Sequence, residues 1–309
     1  MFYKASAPAN LMMIGEYTVL SGYPAVVCAV NRRLHCQLTP RDDQQIHIQS
    51  QLGNLTLSAQ NPQAEKPFDL IAACLQQHAL PSGCDMVIDS EFSHRLGLGS
   101  SAALVATLCH CLAQWLRLPT HIESLWLTGI RAIRSLHPNS SGADLAASLH
   151  GGMIEFKNQP LHIRALDHSP ELAVIYSGSK LETPTAVQSY QQQKKADPER
   201  IDTFEAETAK LSTAFIAMAQ LNDWQNAGKI LNCAHQQLQQ LNVSNEKLDR
   251  LTQAMQQASE VYGAKISGSG HGDCLIGIGS LTTDFLSQAD LSQGCLQLPL
   301  AIDPTGVKP

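Results

Sequence analysis

Two short segments of the sequence combine glycine and serine at spacings that suit phosphate binding. The first, residues 97–101, reads Gly-Leu-Gly-Ser-Ser and leads directly into an apolar-periodic segment that predicts a helix over 101–117. The first turn of a helix has unpaired N–H groups and the positive end of the helix dipole. Glycine lets the backbone approach an anion closely, and Ser100 or Ser101 could cap the helix, bind phosphate or hold a metal ion. The same pattern is typical of an ordinary helix start, so this segment alone does not decide between the two.

The second segment, residues 266–274, reads Ile-Ser-Gly-Ser-Gly-His-Gly-Asp-Cys and lies between two β-prone stretches. Three glycines within five residues are unfavourable in backbone entropy, which indicates that the backbone approaches a ligand closely. The alternative interpretation is a wide hairpin turn.

A carboxylate ends a third polar segment, Asn-Ser-Ser-Gly-Ala-Asp at residues 139–144, which precedes Gly151 and Gly152. Asp144 is predicted to lie in the first turn of a short helix near 142–149. The helix dipole favours a carboxylate there for structural reasons alone. The same carboxylate could instead act as a general base or orient a substrate hydroxyl, and the residues leave both interpretations open.

Several other kinds of site are excluded by residue spacing. The histidines at 94, 110, 137, 150 and 271 lack the i,i+4 or Cys/His spacing of a metal site. The nine cysteines contain no Cys-x-x-Cys pair and mostly lie in apolar stretches, which is typical of a reducing compartment. Residues 97–101 match neither the Walker A sequence, nor the dinucleotide-binding fingerprint, nor the nucleophile elbow of hydrolases.

Composition narrows the class of protein further. The net charge of −6 and the isoelectric point near 6.0 argue against a nucleic-acid partner, which needs a basic surface. No apolar run approaches the roughly 20 residues that span a bilayer, and the N-terminus lacks a signal-peptide pattern. We therefore expect a cytoplasmic protein without membrane segments. The 309 residues fit two domains that share a cleft.

Hydrophobic periodicity predicts two halves that meet near residues 160–185. For the first half it predicts strands over 2–40, 85–92, 153–156 and 161–166, a polar hairpin over 41–66, and helices near 68–78, 101–117, 121–136 and 142–149. For the second half it predicts strands over 172–176, 264–266 and 274–278, helices near 197–221, 223–240 and 244–262, and a tail with a helix and a final strand around 295–302.

The order and spacing of these segments resemble the GHMP family of small-molecule kinases over nearly the whole chain. Ala7-Pro8 through Gly15-Glu16 is similar to the first motif of the family, residues 97–103 to the second, and residues 265–274 to the third. The segment 141–144 ahead of Gly151 and Gly152 resembles the mevalonate-pathway members. The resemblance implies an enzyme that phosphorylates mevalonate or 5-phosphomevalonate with ATP and Mg²⁺, with a slight preference for the second acceptor.

The resemblance also implies an α+β fold in two parts. Residues 1–168 would form a ribosomal-S5-like N-terminal domain with the phosphate loop, and residues 169–309 a ferredoxin-like C-terminal domain. ATP and a small-molecule acceptor would bind between them, and the resemblance leaves a homodimer open.

Individual roles follow from the same resemblance. Asp144 would orient or deprotonate the acceptor hydroxyl, and Ser101 would also reach Mg²⁺. The ATP phosphates would be held by Gly97, Leu98, Gly99, Ser100, Ser101 and Ala102, with Gly268, Ser269 and Gly270 closing over them. The acceptor would be bound by Glu16, Tyr17, Ser141 and Gly142.

Two departures from the family pattern concern charge. The first-motif Lys, which neutralises the transferring phosphoryl group in these kinases, is replaced by Asn10, which we include among the catalytic candidates. The Glu that binds Mg²⁺ in mevalonate kinase is missing in the stretch 131–134. Another cation would then have to substitute, and the candidates are Lys4, Arg134 and Lys180.

The departures also support two alternatives. Diphosphomevalonate decarboxylases carry Asn at the position of Asn10, which leaves a decarboxylase or a mevalonate-3-kinase-like enzyme open. A catalytically silent nucleotide-binding protein is the other alternative. A phosphomevalonate kinase would need a second cationic cluster for the phosphate of its acceptor. The candidates for that cluster, each equally compatible with solvated surface, are Arg32, Arg33, His35, Arg134 and His137.

Overall fold

The N-terminal half is organised around a mixed sheet, seen in a computed structural model that describes residues 1–179, 183–288 and 293–309. Within residues 1–179 this sheet has seven strands in the order β4-β3-β5-β2-β6-β7, with β1 paired to β2. The strands are β1 (Tyr3–Ile14), β2 (Ala25–Pro40), β3 (Gln45–Ser50), β4 (Gly53–Ser58), β5 (Cys84–Ser90), β6 (Met153–Asn158) and β7 (Leu161–Leu166). All pairings are antiparallel except the one between β3 and β5.

Helices α1 (Asp69–Leu75), α2 (Ser100–Trp115), α3 (Ile122–Leu136) and α4 (Ala143–His150) pack together and cover the inner part of this sheet. Helix α2 lies against β1 and β2 and is buried from Ala102 onward along most of its length. Its apolar packing explains why two helix starts, at Ser100 and Ala143, are brought to the same end of the sheet.

The C-terminal half has a second, antiparallel sheet, which in the described residues has four strands in the order β11-β8-β10-β9. The strands are β8 (Leu172–Tyr176), β9 (Val261–Ile266), β10 (Cys274–Gly279) and β11 (Leu296–Gln297). The helices are α5 (Thr183–Ala196), α6 (Pro198–Gln220), α7 (Trp224–Gln240), α8 (Glu246–Gln257) and α9 (Phe285–Gln288). The predicted α+β class is confirmed.

Most predicted elements are confirmed, but three are wrong in the C-terminal half. The helix predicted over 244–262 ends at Gln257, because Val261 and Tyr262 begin a strand that pairs with β10. Helix α5 was not predicted, since Ala186 and Tyr190 are the buried residues of a polar sequence and leave little apolar periodicity. The final strand around 295–302 is reduced to Leu296–Gln297.

The C-terminal tail returns to the first sheet instead of ending on the second. Ser6 exchanges backbone hydrogen bonds with Lys308, and Val30 forms a bridge with Ile302. The chain passes from the first sheet to the second between Leu166 and Leu172. A division at 168/169 stays a prediction. Among the described residues, no helix combines the length and apolar character needed to cross a bilayer.

Candidate active site

The first glycine segment forms a loop that ends at the start of α2. Gly99 is the residue before the helix and adopts a left-handed conformation, with φ 66° and ψ 34°. A Cβ at Gly99 would lie 2.5 Å from Cγ of Asn10, so both the conformation and the packing require glycine. Of the three roles left open for Ser100 and Ser101, capping is the one that the structure does not show, because the cap residue is Gly99 and no side chain caps the end.

The serines of this loop are therefore free for other roles. Ser101 is exposed and Ser100 is half-buried, and among the described residues neither hydroxyl makes a hydrogen bond within the protein. Leu98 and Ala102, by contrast, have buried side chains, so only their backbone groups could contact a ligand. The first turn of α2 has no acidic residue. Its N–H groups and two hydroxyls form a start that suits an anion.

Asn10 lies behind this loop and connects it to α4. Its side chain is buried, and Nδ2 donates to Oγ of Ser148 at 3.0 Å. Its backbone N–H donates to the carbonyl of Leu98 at 3.1 Å. Ser148 is fully buried and donates in turn to the carbonyl of Pro8 at 2.8 Å. Asn10 is thus a neutral amide that supports the loop from the protein side, and it cannot supply the positive charge of the missing Lys.

Helix α4 begins in the same way as α2 but carries an acid. Gly142, the residue before it, is left-handed with φ 86°, and a Cβ there would lie 2.7 Å from Cζ2 of Trp126. The Gly142 carbonyl accepts from Nε1 of Trp126 at 2.9 Å, and Oγ of Ser141 accepts from the backbone N–H of Ala143 at 3.3 Å. Both residues therefore shape the helix start, and their assignment as acceptor-binding residues stays a prediction.

Asp144 is the second residue of α4 and lies one turn before Ser148, so the two side chains project from the same face of the helix. Its side chain is exposed, yet surrounding protein raises the pKa of the carboxyl to about 6, first by desolvation and then through the charge of Glu16. A carboxyl with this pKa is ionised near neutral pH and basic enough to take a proton.

Glu16 is a buried acid that forms an ion pair within the protein. It is 4% exposed, and its carboxylate forms an ion pair with Nζ of Lys265, which is fully buried. Lys265 also donates to the carbonyl of Ile266, and burial lowers the pKa of its ammonium group. The charge of Glu16 is balanced inside the protein between β1 and β9, and its assignment to the acceptor stays a prediction. The sequence analysis did not identify Lys265 as the partner of Glu16. A lysine between Ala264 and Ile266 in an apolar strand was a usable sign of a buried ion pair.

The second glycine segment lies against the first one. The side chain of Asp273 would be 2.7 Å from a Cβ placed at Gly97, and Sγ of Cys274 donates to the carbonyl of Leu96 at 3.0 Å. On its other side the segment is held by the loop after α7, where the N–H of His271 donates to the carbonyl of Val243 at 2.7 Å. A Cβ at Gly268 would meet no atom within 4 Å. The segment is thus anchored at its ends and open at Gly268.

Tyr17 also contacts this second segment. Its hydroxyl donates to the carbonyl of Ser269, and its side chain is 5% exposed. Burial raises the pKa of the phenol above its ordinary value, with the charge of Glu16 adding to the effect. The hydroxyl is used within the protein, and the assignment of Tyr17 as an acceptor-binding residue stays a prediction.

The proposed cations are distributed differently from expectation. Lys4 lies over the ring of Phe2, six residues along β1 from Asn10 and therefore roughly 20 Å away. Arg134 remains beside the acceptor segment, with Nε donating to the carbonyl of Ser140 at 3.0 Å. Lys180 lies outside the described residues.

The cluster suggested on β2 does not form a phosphate site. Arg33 is buried and pairs with Asp303 at 2.5 Å while donating to the tail carbonyls of Thr305 and Gly306.

His35 pairs with Glu91 at 3.0 Å, and Arg32 donates to the carbonyls of Asn31 and Pro299. Arg33 and Arg32 therefore bind the C-terminal part of the chain.

Arg95 is a basic residue that sequence reasoning missed. It is exposed and lies two residues before Gly97. Burial and then the charge of Asp273 raise the pKa of Tyr176, and the positive charge of Arg95 partly offsets that rise. The backbone N–H of Arg95 donates to Oγ of Ser93 at 3.2 Å, and its side chain is open to solvent. Its position immediately before residues 97–101 was the sequence feature that could have marked it as a candidate cation for the phosphates.

Family comparisons agree with this arrangement. The model described as "GHMP kinases N terminal domain" matches residues 66–152, which include α2 and Asp144, and "GHMP kinases C terminal" matches residues 214–286, which include the second glycine segment. Together they match just over half of the chain. The chain belongs to the GHMP kinase family. As a member of this family it is an ATP-dependent kinase, as the resemblance predicted.

Curated relatives and solved structures extend over the full fold. A protein of Thermococcus gammatolerans named mevalonate kinase is 28% identical, with 88% of this chain and 87% of the relative covered. The structure of the Lin0012 protein from Listeria innocua matches with TM-score 0.87 at 19% identity, covering 100% of this chain and 99% of that one. Streptococcus pneumoniae phosphomevalonate kinase in complex with phosphomevalonate and AMPPNP matches with TM-score 0.80 at 17% identity, covering 97% and 99%. At these identities the structural matches show the fold.

Proposed function

We propose that this GHMP kinase phosphorylates a hydroxyl of a mevalonate-type hydroxy acid, using ATP and Mg²⁺, with mevalonate itself as the acceptor. The observation that carries the proposal is Asp144, an accessible carboxylate with a pKa raised to about 6 on the helix that Asn10 joins to the first glycine loop. The curated relatives named mevalonate kinase support the choice of acceptor.

The ATP phosphates bind at the first loop and the start of α2. Backbone N–H groups of residues 97–102 and the hydroxyls of Ser100 and Ser101 provide donors without a competing acid in the first turn. The second glycine segment lies against this loop and presents an open side at Gly268. Phosphoryl transfer depends mainly on positioning and charge stabilisation, and this pair of loops supplies the positioning.

The donor set fits Mg²⁺ bound mainly through phosphates. Mg²⁺ takes hard oxygen ligands, keeps several waters and commonly uses one or two protein groups with substrate phosphates. No cluster of three His, Cys, Asp or Glu residues suited to a metal exists in the described part of the chain. The exposed hydroxyl of Ser101 would be its protein ligand, and the ion would neutralise phosphate charge.

Asp144 orients the acceptor hydroxyl and accepts its proton as the acceptor oxygen bonds to the γ-phosphorus of ATP, while the bond from that phosphorus to the bridging oxygen breaks and ADP leaves. A general base works best when its pKa is close to the working pH, because it must be ionised and still basic. Glu16 contributes to this tuning from inside the protein by disfavouring the charged form of Asp144. We infer that Arg95, exposed two residues before Gly97, replaces the family Lys as the cation that stabilises phosphate charge.

The acceptor is assigned to mevalonate because most of the second cationic cluster is used elsewhere. Arg33, Arg32 and His35 bind the tail and Glu91, which leaves Arg134 and His137 near the acceptor segment. A phosphorylated acceptor would bring additional negative charge beside Asp144 without a compensating cluster.

An ADP-release assay with mevalonate and, separately, with 5-phosphomevalonate tests the assignment. We expect turnover of mevalonate, with kcat/KM at least about tenfold above that for 5-phosphomevalonate, given the difference in compensating charge. Preferential turnover of 5-phosphomevalonate would reverse the choice of acceptor. ATP binding without turnover of either would favour a silent nucleotide-binding protein.

The decarboxylase alternative rests on Asn10 alone. In the structure this amide binds Ser148 and supports the loop, so it has a structural role that does not depend on the reaction. Release of carbon dioxide from diphosphomevalonate, measured beside ADP release, distinguishes the two reactions. We expect none.

A further inference from the structure

Tyr17 combines features that its chain position alone does not explain. It is a buried aromatic residue with φ 63° and ψ −47°, a conformation that side chains with a Cβ rarely adopt. Such backbone strain persists only where the surroundings over-determine it, and it is concentrated at functional sites. The strained residue lies directly after Glu16, in the turn that leaves β1.

Two consecutive residues of this turn hold two consecutive residues of the second glycine segment. Oε1 of Glu16 accepts from the N–H of Gly268 at 3.4 Å, and the hydroxyl of Tyr17 donates to the carbonyl of Ser269. These contacts join parts of the chain that are 252 residues apart. They lie immediately beside Gly268, where the segment is open.

Tyr17 is itself held from behind by a buried network. Its ring packs on Tyr190 of α5, with centroids 4.8 Å apart. The Tyr190 hydroxyl donates to Oε1 of Glu205 on α6 at 2.5 Å, and the same oxygen accepts from Ser21 at 2.6 Å and from Lys194 at 2.7 Å. Glu205 and Tyr190 are 4% and 3% exposed, and Ser21 and Lys194 reach the carboxylate from the surface, so the network restrains the ring.

We propose that Tyr17 is a positioning residue for ATP binding, whose hydroxyl holds the Ser269 carbonyl and keeps the second glycine segment in its binding arrangement. The inference rests on the proposed function, in which residues 268–270 contact the phosphates. Glycine-rich segments lose the most backbone entropy when they become ordered. A segment that the protein orders in advance leaves less of that loss to be met by ATP binding.

The test is binding of AMPPNP with Mg²⁺ to the full-length protein, measured by calorimetry, together with steady-state kinetics. Tyr17→Phe removes the hydroxyl and keeps the ring on Tyr190. We expect its Kd for AMPPNP to rise about tenfold, the size expected when a buried carbonyl loses its donor, with KM for ATP rising in parallel. KM for the acceptor should stay within about twofold of the wild-type value, a split that general destabilisation would not produce.

Tyr23→Phe is the matched control. Tyr23 lies two residues beyond the 3₁₀ turn Thr18–Ser21 and is 37% exposed, and its variant should bind AMPPNP like the wild type. Tyr190→Phe tests the same network at a distance, because it breaks the bond to Glu205 but keeps the ring. We expect a rise in Kd of about threefold, smaller because the loop bond itself remains.

The outcomes separate this inference from the proposed function. Failure of the wild-type protein to bind AMPPNP would overturn both. Wild-type binding with unchanged affinity in Tyr17→Phe would overturn the inference alone, as would a rise confined to KM of the acceptor. If Tyr17→Phe does not fold, unchanged affinity in Tyr190→Phe overturns the inference and weakened affinity supports it.

Discussion

Helices α2 and α4 begin with the same backbone arrangement and opposite electrostatics. Each follows a left-handed glycine, Gly99 or Gly142, whose missing Cβ makes room for a packed side chain. The second residue of the helix is Ser101 in α2 and Asp144 in α4. The equivalent position therefore carries a neutral hydroxyl in one helix and a carboxylate in the other.

This difference teaches what each helix start can bind. The N–H groups and dipole of α2 face no acid and suit a phosphate. In α4 the carboxylate of Asp144 already lies at the positive end of the helix dipole. This helix start therefore repels a phosphate, and its carboxylate can accept the proton of a hydroxyl group. Because Asn10 bonds to Ser148 and packs under Gly99, the two starts are held in one relative position. Four predictions, on three substitutions, test the comparison.

The largest effect is expected from Asp144→Asn, which makes α4 neutral like α2. Without the base, kcat should fall about 10²- to 10⁴-fold while AMPPNP binds as in the wild type.

In the wild-type enzyme kcat/KM should fall below about pH 6, as the carboxyl takes up its proton, and level off above that pH. Glu123→Gln, at the second position of α3, is the control and should leave both quantities unchanged. A kcat within tenfold of wild type in Asp144→Asn would remove the assigned role.

Gly99→Ala tests whether the first loop is fixed by packing. The new Cβ would meet the Asn10 side chain and the residue would keep φ 66°, so we expect a loss of about 3 kcal/mol or more in the free energy of unfolding. Gly152→Ala is the control, since Gly152 has φ +65° and no atom within 4 Å of a Cβ; it should lose only about 1–2 kcal/mol. Denaturant unfolding measures both, and equal losses would show that packing against Asn10 contributes nothing.

Ser101→Asp gives α2 the acid of α4. An acid in the first turn favours the helix by about 0.3–1 kcal/mol, so stability should hold or rise. Affinity for AMPPNP should nevertheless fall by on the order of tenfold or more, because the new charge faces the phosphates. Ser124→Asp adds the same charge to the first turn of α3 and is the control. Unchanged affinity in Ser101→Asp would place the phosphates elsewhere.

The smallest expected effect is on stability. The folded protein raises the pKa of Asp144 from 3.8 to about 6, so it binds this proton more tightly than the unfolded chain does. Ionisation of Asp144 therefore lowers stability progressively between about pH 4 and pH 6, and the deficit persists above. Asp144→Asn should be slightly more stable than wild type at pH 8 and equal at pH 4, with solvent screening limiting the gain. Thermal unfolding of both proteins at the two pH values measures this difference in stability. An Asn variant that is less stable than the wild type at pH 8 would contradict the environment assigned to Asp144.

Local signals were sufficient for much of the fold and part of the site. Glycines before apolar-periodic segments located the starts of α2 and α4 to within a residue or two, and the position of Asp144 in the first turn followed. The hairpin β3–β4 followed from alternation around Gly53 and Asn54. Helix α5 was missed because its buried residues are too few to produce a period.

The sequence by itself determined the order of the elements, the two glycine loops and the carboxylate, because each depends on neighbours in the chain. Only the tertiary structure decided which partner each buried polar side chain has. Glu16 pairs with Lys265 across 249 residues, Tyr17 binds Ser269 across 252, and Asn10 binds Ser148 across 138. The type of a residue states which groups it can bond to, but burial and long-range packing select the partner. Through these contacts Glu16, Tyr17 and Asn10, which the sequence placed in the site, support the two loops.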